Sequence, residues 1–287
     1  MLQRNWTLTL ACADRVGIVA ALTGALAAID GFILDSQQFA DVETGRFFMR
    51  VVFTRGGDGF VDDRDALTAR LTPVAGEFEL DWTLTSSDAP MRVLIAASQT
   101  SHCLNDLLHR WSIGSLPIVP VGVVSNHDCL RGLAEWHGLP FHHLPVTPET
   151  RRDQESAVEQ LIRSSDGELL VLARYMQVLS PELTAVVSGR CINIHHSFLP
   201  SFKGARPYAQ AHARGVKLIG ATAHFVTSDL DEGPIIEQAV EPVDHRADEA
   251  AMISIGREIE ARVLARAVAA IAERRVLLNG AKTVVFR

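Results

Sequence analysis

The sequence lacks the long apolar run that a membrane-spanning helix requires, since no stretch of about 18 consecutive apolar residues occurs. It also lacks excess positive charge: the formal net charge is -7, whereas nucleic acids and membrane surfaces attract positively charged proteins. The first residues run directly into a strand-like pattern and show no signal-peptide core. We therefore expect a cytoplasmic protein that binds neither nucleic acid nor membrane.

Cysteine is scarce and scattered. The cysteines form no C-x-x-C pair and stand in apolar surroundings, so we expect buried free thiols at Cys12, Cys103, Cys129 and Cys191. No H-E-x-x-H motif occurs either. Neighbouring residues on a strand point to opposite faces, so the adjacent histidine pairs 142–143 and 195–196 are poorly placed to chelate one ion. We expect no metal site.

The length of 287 residues predicts about two domains. The first stretch reads as strand, helix, two strands, helix and strand, with Asp14 as the expected N-cap of the first helix. This βαββαβ order is typical of a ferredoxin-like sandwich. A short polar segment ending in proline then predicts a linker. We place the first domain at 1–85, the linker at 86–90 and the second domain at 91–287.

The pattern changes after the linker, where continuous apolar strands alternate with helices. This alternation predicts an α/β domain with a Rossmann-like, mostly parallel sheet covered on both faces. Two long runs, Lys217–Val226 and Ile235–Val243, can pair antiparallel at one side of that sheet. A closing helix is predicted over Asp248–Leu278, with apolar residues at i,i+4 spacing.

Two polar residues stand on the same face of a predicted buried strand. Asn193 and His195 are two positions apart, so they share one face, while Ile192 and Ile194 point into a core. Open α/β sheets bind ligands at the carboxyl ends of their strands. Two interpretations stay open on this segment alone: a ligand-binding pair, or two polar groups satisfied within the fold.

A second polar element joins the two long runs. The loop 227–234 holds three carboxylates, at Asp229, Asp231 and Glu232, beside a Gly-Pro turn, and His224 precedes it on the strand. As an ordinary loop this is a solvated acidic turn.

Several separated motifs, in one order, resemble the folate-dependent formyltransferase superfamily. They are Asn193-Ile194-His195, Ser197-Phe198-Leu199-Pro200, His224-Phe225-Val226-Thr227 and Leu230-Asp231-x-Gly233-Pro234-Ile235. The segment 175–181 resembles the folate-pocket segment of that superfamily, and the resemblance covers residues 90–280. Within it, the segments 195–200 and 204–208 are similar to the formyltetrahydrofolate deformylases, and residues 5–84 resemble an ACT domain.

The resemblance implies hydrolysis of 10-formyltetrahydrofolate to formate and tetrahydrofolate, with no permanently bound cofactor, supplying formate for purine synthesis and balancing one-carbon pools. Asn193 would stabilise the oxyanion, His195 would donate to it or relay a proton, and Asp231 would orient His195 and the water. Whether His195 or Asp231 is the operative base stays open. Folate-binding residues would be Met176, Gln177, Val178, Leu179, Thr227, Ser228, Asp229 and Leu230, and further lining residues His196, Ser197, Lys203 and Gly204.

Water is the expected acceptor. The superfamily also contains transferases that act on glycinamide ribonucleotide or initiator methionyl-tRNA. A ribonucleotide phosphate is usually held by a glycine-rich turn, and the turn 96–103 contains no glycine. A tRNA acceptor needs a positive surface, and residues 85–287 hold 20 Lys and Arg against 22 Asp and Glu.

ACT domains bind small amino acids and associate with one another, so the resemblance implies a homo-oligomer with methionine and glycine as effectors. The residues at the first strand-to-helix turn that would bind them are Asp14, Val16, Gly17 and Ile18. A helix N-terminus attracts carboxylates, but a plain cap and turn also explain this segment. A non-enzymatic amino-acid or folate sensor is the alternative to the hydrolase, although it would not need Asn193, His195 and Asp231 together.

Overall fold

The computed structural model describes residues 4–199 and 207–287. The chain forms two compact units. The first extends to Pro90 and also includes residues 274–277 and 284–287, and the second consists of residues 91–273 and 278–283. In the described part of the chain no helix is both long and apolar enough to span a bilayer.

The first unit contains a four-stranded antiparallel sheet with the order β2-β3-β1-β4. Alternate residues of β1, among them Trp6, Leu8 and Leu10, enter a core with Leu22 and Leu67 of the two helices. The elements are β1 (Asn5–Ala13), α1 (Ile18–Ala28), β2 (Gly31–Asp41), β3 (Arg46–Arg55), α2 (Arg64–Glu77) and β4 (Asp81–Ser86).

The predicted N-cap of α1 is wrong. The capping position is occupied by Gly17, with a φ of 102°, and no side chain caps the helix. Asp14, the residue directly after β1, is exposed, and its backbone N–H donates to the Gly45 carbonyl at 2.8 Å, so it lies outside the helix cap. A left-handed residue before the helix requires glycine, which the sequence prediction did not take into account.

The second unit contains a seven-stranded sheet with the order β11-β10-β9-β8-β5-β6-β7. Strands β5 to β9 are parallel, whereas β10 runs antiparallel to both β9 and β11. The predicted mostly parallel sheet and the antiparallel pair at its edge are therefore confirmed. The elements are β5 (Met91–Ala97), α3 (His102–Ser112), β6 (Ile118–Ser125), α4 (Arg131–Trp136), β7 (Phe141–His143), α5 (Arg151–Ser164), β8 (Leu169–Leu172), α6 (Pro181–Val186), β9 (Cys191–His195), α7 (Pro207–Arg214), β10 (Leu218–Phe225), β11 (Ile235–Pro242) and α8 (Glu249–Ala272).

The closing helix ends earlier than predicted. Helix α8 begins after its N-cap Asp248, whose side chain accepts from Ala251 N, and it ends at Ala272. A hairpin follows, formed by β12 (Val276–Asn279) and β13 (Lys282–Val285). The sequence prediction assigned this whole region to the second domain, whereas residues 274–277 and 284–287 belong to the first unit. The reason is apolar packing, since Phe286 is buried with Ala11 and Phe48.

All four cysteines are free thiols, but their burial differs from the prediction at one position. Cys12, Cys103 and Cys191 are buried, and burial raises the pKa of each thiol. Cys129 is exposed, because it lies in the turn between β6 and α4 rather than inside an element.

Candidate active site

A cleft of about 300 Å³ opens where β8 and β9 end and where β10 leads into its loop. Asn193 and His195 of β9 line it together with His224 of β10 and Asp231 of the following loop. The carboxyl ends of parallel strands are the usual place for ligands in open α/β sheets. The structure therefore brings the three predicted catalytic residues into one cleft.

The alternation of β9 positions Asn193 and His195. Ile192 and Ile194 are buried in the core, while Asn193 and His195 are only partly buried. In the register of β9 and β10, Asn193 lies opposite His224, and the Asn193 amide nitrogen is 3.4 Å from His224 Nε2.

His224 was not among the predicted site residues, although it lies in one of the motifs. Its Nδ1 lies 2.8 Å from the Phe225 carbonyl oxygen, so Nδ1 carries a proton and donates. Burial lowers the pKa of His224, which leaves the ring neutral with Nε2 as an acceptor. The Asn193 amide donates to Nε2, and this contact fixes the orientation of the amide group.

Asp231 connects the loop to the histidines. Its Oδ1 lies 3.2 Å from His195 Nδ1 and 3.8 Å from His224 Nε2. The hydrogen bond from His195 outweighs burial and lowers the pKa of Asp231, so the carboxylate is ionised. Asp231 has a φ of 59°, an uncommon conformation for a residue other than glycine. The Asp231 carboxylate is therefore a charged group held next to the His195 imidazole.

Gly233 makes the turn beyond Asp231 possible. A Cβ atom at this position would lie 1.8 Å from the Phe225 carbonyl oxygen, so only glycine fits. The turn is closed by a hydrogen bond of 2.9 Å from Phe225 N to the Pro234 carbonyl.

The rim of the cleft is apolar. Met176, Val178 and Leu230 are 61%, 56% and 61% exposed, and all three line the cleft. Among the other predicted folate-binding residues, Gln177, Thr227 and Asp229 also line it. Exposed apolar side chains at the rim of a cleft are typical of a ligand-binding site, because a bound ligand removes their surface from water.

Two predicted folate-binding residues do not line the cleft. Leu179 packs against the core cluster that contains Tyr175 and Leu183. Ser228 is exposed in the loop and is not among the lining residues. The prediction took every residue of segments 176–179 and 227–230 as folate-binding, but successive residues of an irregular segment point in different directions.

The four further lining residues have different outcomes. His196 lines the cleft, whereas Ser197 does not and uses its carbonyl to accept from Thr222 Oγ1 at 2.9 Å. Lys203 and Gly204 lie outside the described residues. The expectation that His195 and His196 point to opposite faces is wrong: their rings stack with centroids 4.6 Å apart at 23°. Strand β9 ends at His195, so the alternation of a strand no longer applies to His196.

A buried polar network that the sequence analysis missed lies beside His196. Arg174 Nη1 is 2.9 Å from His196 Nδ1, and Arg174 Nε is 3.3 Å from Glu260 Oε2 of α8. This second contact is an ion pair without a hydrogen bond at Nε. Glu260 also accepts from His102 Nε2 and from the Tyr208 hydroxyl, each at 2.8 Å. The residues of this network are far apart in the sequence, His102 and Glu260 by 158 positions, so no local motif predicts that they meet.

Part of this network has the residue types of a metal site. His102, Cys103 and Glu260 bring their ligand atoms within 4.8 Å of one another. Both carboxylate oxygens of Glu260 already accept hydrogen bonds. Burial raises the pKa of Cys103 well above its usual value, so the thiol keeps its proton. These donors do not fit a cation, and the expected absence of a metal stays a prediction.

The predicted effector residues lie around the N-terminus of α1 in the first unit. Val16 is fully exposed, Ile18 is buried in the core and Gly17 is the N-cap. Asp14 is exposed directly after β1. Effector binding at this turn stays a prediction.

The chain resembles known proteins along its whole length. A family model described as formyl transferase matches residues 91–268. The formyltetrahydrofolate deformylase of Corynebacterium sp. (strain P-1) is 49% identical over 285 residues, which cover 99% of each chain. The crystal structure of formyltetrahydrofolate deformylase from Burkholderia mallei ATCC 23344 matches with a TM-score of 0.94 and 51% identity, covering 99% of this chain and 100% of that one.

A second kind of enzyme matches a part of the chain. The crystal structure of glycinamide ribonucleotide transformylase 1 from Symbiobacterium toebii matches with a TM-score of 0.65 and 28% identity. It covers 69% of this chain and 95% of that one.

Proposed function

The chain belongs to the formyltetrahydrofolate deformylase family, and we propose that Asn193, His195 and Asp231 carry out its reaction in the cleft. The enzyme is a hydrolase that converts 10-formyltetrahydrofolate and water into formate and tetrahydrofolate. The observation that supports these roles is the contact of 3.2 Å between His195 Nδ1 and Asp231 Oδ1, with Asn193 on the same face of β9.

Asn193 is the proposed oxyanion donor. Attack on the formyl carbon places negative charge on the formyl oxygen, and a preoriented N–H stabilises that charge. One proton of the Asn193 amide is held by His224 Nε2 at 3.4 Å, so the orientation of the amide is set before substrate binds. Its second proton is then available to the substrate.

His195 is the proposed base and then the proposed acid. Its Nδ1 proton points to Asp231, which leaves Nε2, a buried atom without a protein partner among the described residues, as the site of proton transfer. Water loses a proton to His195 Nε2 as its oxygen bonds to the formyl carbon. The same proton passes to N10 when the carbon–nitrogen bond breaks. Asp231 stays ionised and stabilises the imidazolium.

Water is the proposed acceptor because the site after β5 offers no glycine-rich phosphate cradle. Ser98 is buried, and its hydroxyl contacts Asn126 Oδ1 at 2.7 Å and accepts from Met176 N at 3.1 Å. A side chain engaged in this way is not free for a phosphate. The nearby His102 is engaged with Glu260 at 2.8 Å.

The proposed mechanism needs no metal and no bound cofactor, because N10 carries an aryl ring and leaves more readily than an alkyl amine. The test is formate release from 10-formyltetrahydrofolate without an added acceptor, before and after dialysis against EDTA. Equal rates are expected, and a loss that zinc or another divalent ion restores would contradict the proposal. Adding glycinamide ribonucleotide should yield no formylated product by mass spectrometry.

For the first unit we propose an ACT-type regulatory domain with the ferredoxin-like βαββαβ arrangement, supported by its element order and by the sheet order β2-β3-β1-β4. Methionine and glycine are the proposed effectors, and formate for purine synthesis is the proposed use of the product. A homo-oligomer in the cytoplasm is the proposed state. Formate release measured with and without each amino acid tests the regulation, and equal rates throughout would contradict it.

A further inference from the structure

His196, the first residue after β9, shares the cleft with His195. Its ring stacks on His195 at 4.6 Å between centroids, with 23° between the planes, and both residues line the cleft. The Nε2 atoms of both rings are buried and have no hydrogen-bond partner among the described residues. Buried polar atoms are normally paired, so two such atoms in adjacent rings of a cleft indicate a missing ligand.

Arg174 fixes the proton of His196. The guanidinium is always protonated and can only donate, so its Nη1, 2.9 Å from His196 Nδ1, requires a lone pair on that nitrogen. His196 is therefore neutral, with its proton on Nε2. Burial, then Arg174 and His195, lower the pKa of His196 to about 4, which agrees with this tautomer.

Arg174 is itself held rigidly. Glu260 is 2% exposed in its side chain and lies 3.3 Å from Arg174 Nε. Burial raises the pKa of Glu260. The hydrogen bond from His102 and the charge of Arg174 together lower it by more than burial raises it, so the pKa lies below its usual value. The Tyr208 hydroxyl reaches Glu260 because α8 has a glycine at 256, where a Cβ atom would lie 2.0 Å from that hydroxyl.

The backbone also indicates constraint at Arg174. Its φ is 63°, a conformation that costs a residue other than glycine about 1 kcal/mol or more. Of the residues that line the cleft, Arg174 and Asp231 share this feature. Each is the charged partner of one of the two stacked histidines, Asp231 of His195 and Arg174 of His196.

We propose that His196 is a further catalytic residue, which donates its Nε2–H to the attacking water while His195 Nε2 accepts a proton from the same water. Arg174 is its positioning residue. This inference rests on the proposed function. In the step, the water O–H bond breaks towards His195, the oxygen bonds to the formyl carbon and the carbonyl electron pair moves to the formyl oxygen. His196 keeps its own proton throughout.

The pairing of one donor with one acceptor is the reason to assign water rather than the formyl oxygen. Water both donates and accepts, whereas a carbonyl oxygen only accepts. A water reaches about 3 Å to each hydrogen-bond partner, so one molecule bridges two nitrogen atoms that lie up to about 6 Å apart, and the centroids of these two rings are 4.6 Å apart. Asn193 remains the donor for the formyl oxygen, so the two histidines and the amide do not compete.

The test compares His196→Phe with the wild type in the formate-release assay. Phenylalanine keeps a stacked ring and removes the N–H, so we expect kcat to fall about 10²-fold, the usual loss of one preorganised donor, with KM within a few-fold. His196→Gln, which restores an N–H, should recover part of the rate. The matched control is His142→Phe, since His142 also has a pKa lowered by burial but lies outside the cleft, and its kcat should not change.

The outcomes separate this inference from the proposed function. If the wild type releases no formate, the proposed function fails. If the wild type is active and folded His196→Phe keeps kcat within about 3-fold, the role of His196 is wrong while the hydrolase assignment stands. Should His196→Phe fail to fold, ¹⁵N NMR of histidine-labelled wild type decides: a protonated Nδ1 on His196 at neutral pH would overturn the proposal, and a protonated Nε2 supports it.

Arg174→Met tests the positioning role. The charged or titratable groups that face His196 are Arg174, His195, Glu260, Asp231 and Tyr208, whose ring centroid lies 6.5 Å from that of His196. Removing Arg174 raises the pKa of His196, so the ¹⁵N NMR titration of the His196 ring should move towards neutral pH, and Arg174→Lys should move it less. A purely structural role of Arg174 would lower Tm and leave that titration in place, which would contradict the proposal.

Discussion

At the scale of single residues, the site depends on charges and protons whose places are fixed by neighbours. Burial lowers the pKa of His224 and keeps the ring neutral, the Phe225 carbonyl fixes the proton on Nδ1, and Nε2 orients Asn193. Asp231 is held ionised by His195. In each case a hydrogen bond decides which atom of the imidazole carries the proton, and this decides what the group can do to a substrate.

Asp231→Asn should separate catalysis from folding. The substitution is nearly isosteric, and asparagine tolerates the φ of 59° at this position, so Tm should change little. It removes the charge that orients His195, and kcat should fall by at least about 10³-fold. Affinity for the folate should change only a few-fold, because the apolar rim is intact.

The control for that prediction is Glu232→Gln, which neutralises an exposed carboxylate in the same loop. Its kcat should stay within a few-fold of the wild type. Equal losses in both variants, or a large drop in Tm for Asp231→Asn, would show that the acidic loop acts structurally, and proton transfer would then be assigned to His195 alone.

At the scale of elements, the turn between β10 and β11 places Asp231, and its geometry depends on one glycine. Strand β9 contributes Asn193 and His195 on the face that lines the cleft, β10 contributes His224 opposite Asn193, and the turn supplies the carboxylate. In this turn the backbone at position 233 lies so close to Phe225 that the Phe225 carbonyl occupies the space a side chain would need.

Gly233→Ala should distort this turn. The added Cβ would lie 1.8 Å from the Phe225 carbonyl oxygen, and relieving such a clash typically costs about 1–3 kcal/mol. Because the backbone must move, Asp231 leaves His195 and kcat should fall together with the free energy of unfolding, as measured by urea denaturation. The matched control is Gly132→Ala on α4, where a Cβ meets nothing within 4 Å, and helix propensity favours alanine by about 1 kcal/mol. A fully active, stable Gly233→Ala enzyme would contradict this account of the turn.

At the scale of the whole molecule, the first unit is not one continuous stretch of the chain. It contains the residues up to Pro90 together with residues 274–277 and 284–287 near the C-terminus. Phe286 is 6% exposed and packs with Ala11 and Phe48. The first unit therefore depends on residues from both ends of the chain.

Phe286→Ala should destabilise the first unit by about 3 kcal/mol, the usual cost of removing a buried aromatic ring. Thermal unfolding followed by calorimetry should show the transition of that unit at a lower temperature. Leu278→Ala is the control, because Leu278 is 39% exposed and belongs to the second unit. An unchanged transition in Phe286→Ala would mean that the C-terminal residues contribute no stability to the first unit.

Acid should destabilise the fold through its histidines. Burial lowers the pKa of His137, His142, His196 and His224 below their usual 6.5. Between pH 6.5 and about 4 the unfolded chain then binds more protons than the folded one, so stability falls as the pH falls. The carboxyls with a lowered pKa, among them Asp231 and Glu260, add to this loss of stability as the pH falls below about 5.

His196→Phe removes one of these groups. The decrease in Tm from pH 7 to pH 5 should therefore be smaller in this variant than in the wild type by about 2 °C or more, since ~1 kcal/mol corresponds to about 2–4 °C in a chain of this size. Parallel curves of Tm against pH would show that His196 titrates alike in the folded and unfolded states.

The sequence by itself determined the parallel sheet with its antiparallel edge, because strand alternation, apolar runs and turn residues act over a few positions. It also determined that Asn193 and His195 share a face and that a carboxylate follows in the loop after β10. The tertiary structure alone decided which distant residues meet. The register of β9 and β10 brings His224 to Asn193, the end of β9 lets His196 stack on His195, and α8 brings Glu260 to Arg174 and His102. Residues 284–287 likewise belong to the first unit, through the apolar packing of Phe286 with Ala11 and Phe48. Such contacts depend on register and packing between segments far apart in the chain, and local periodicity carries no information about them.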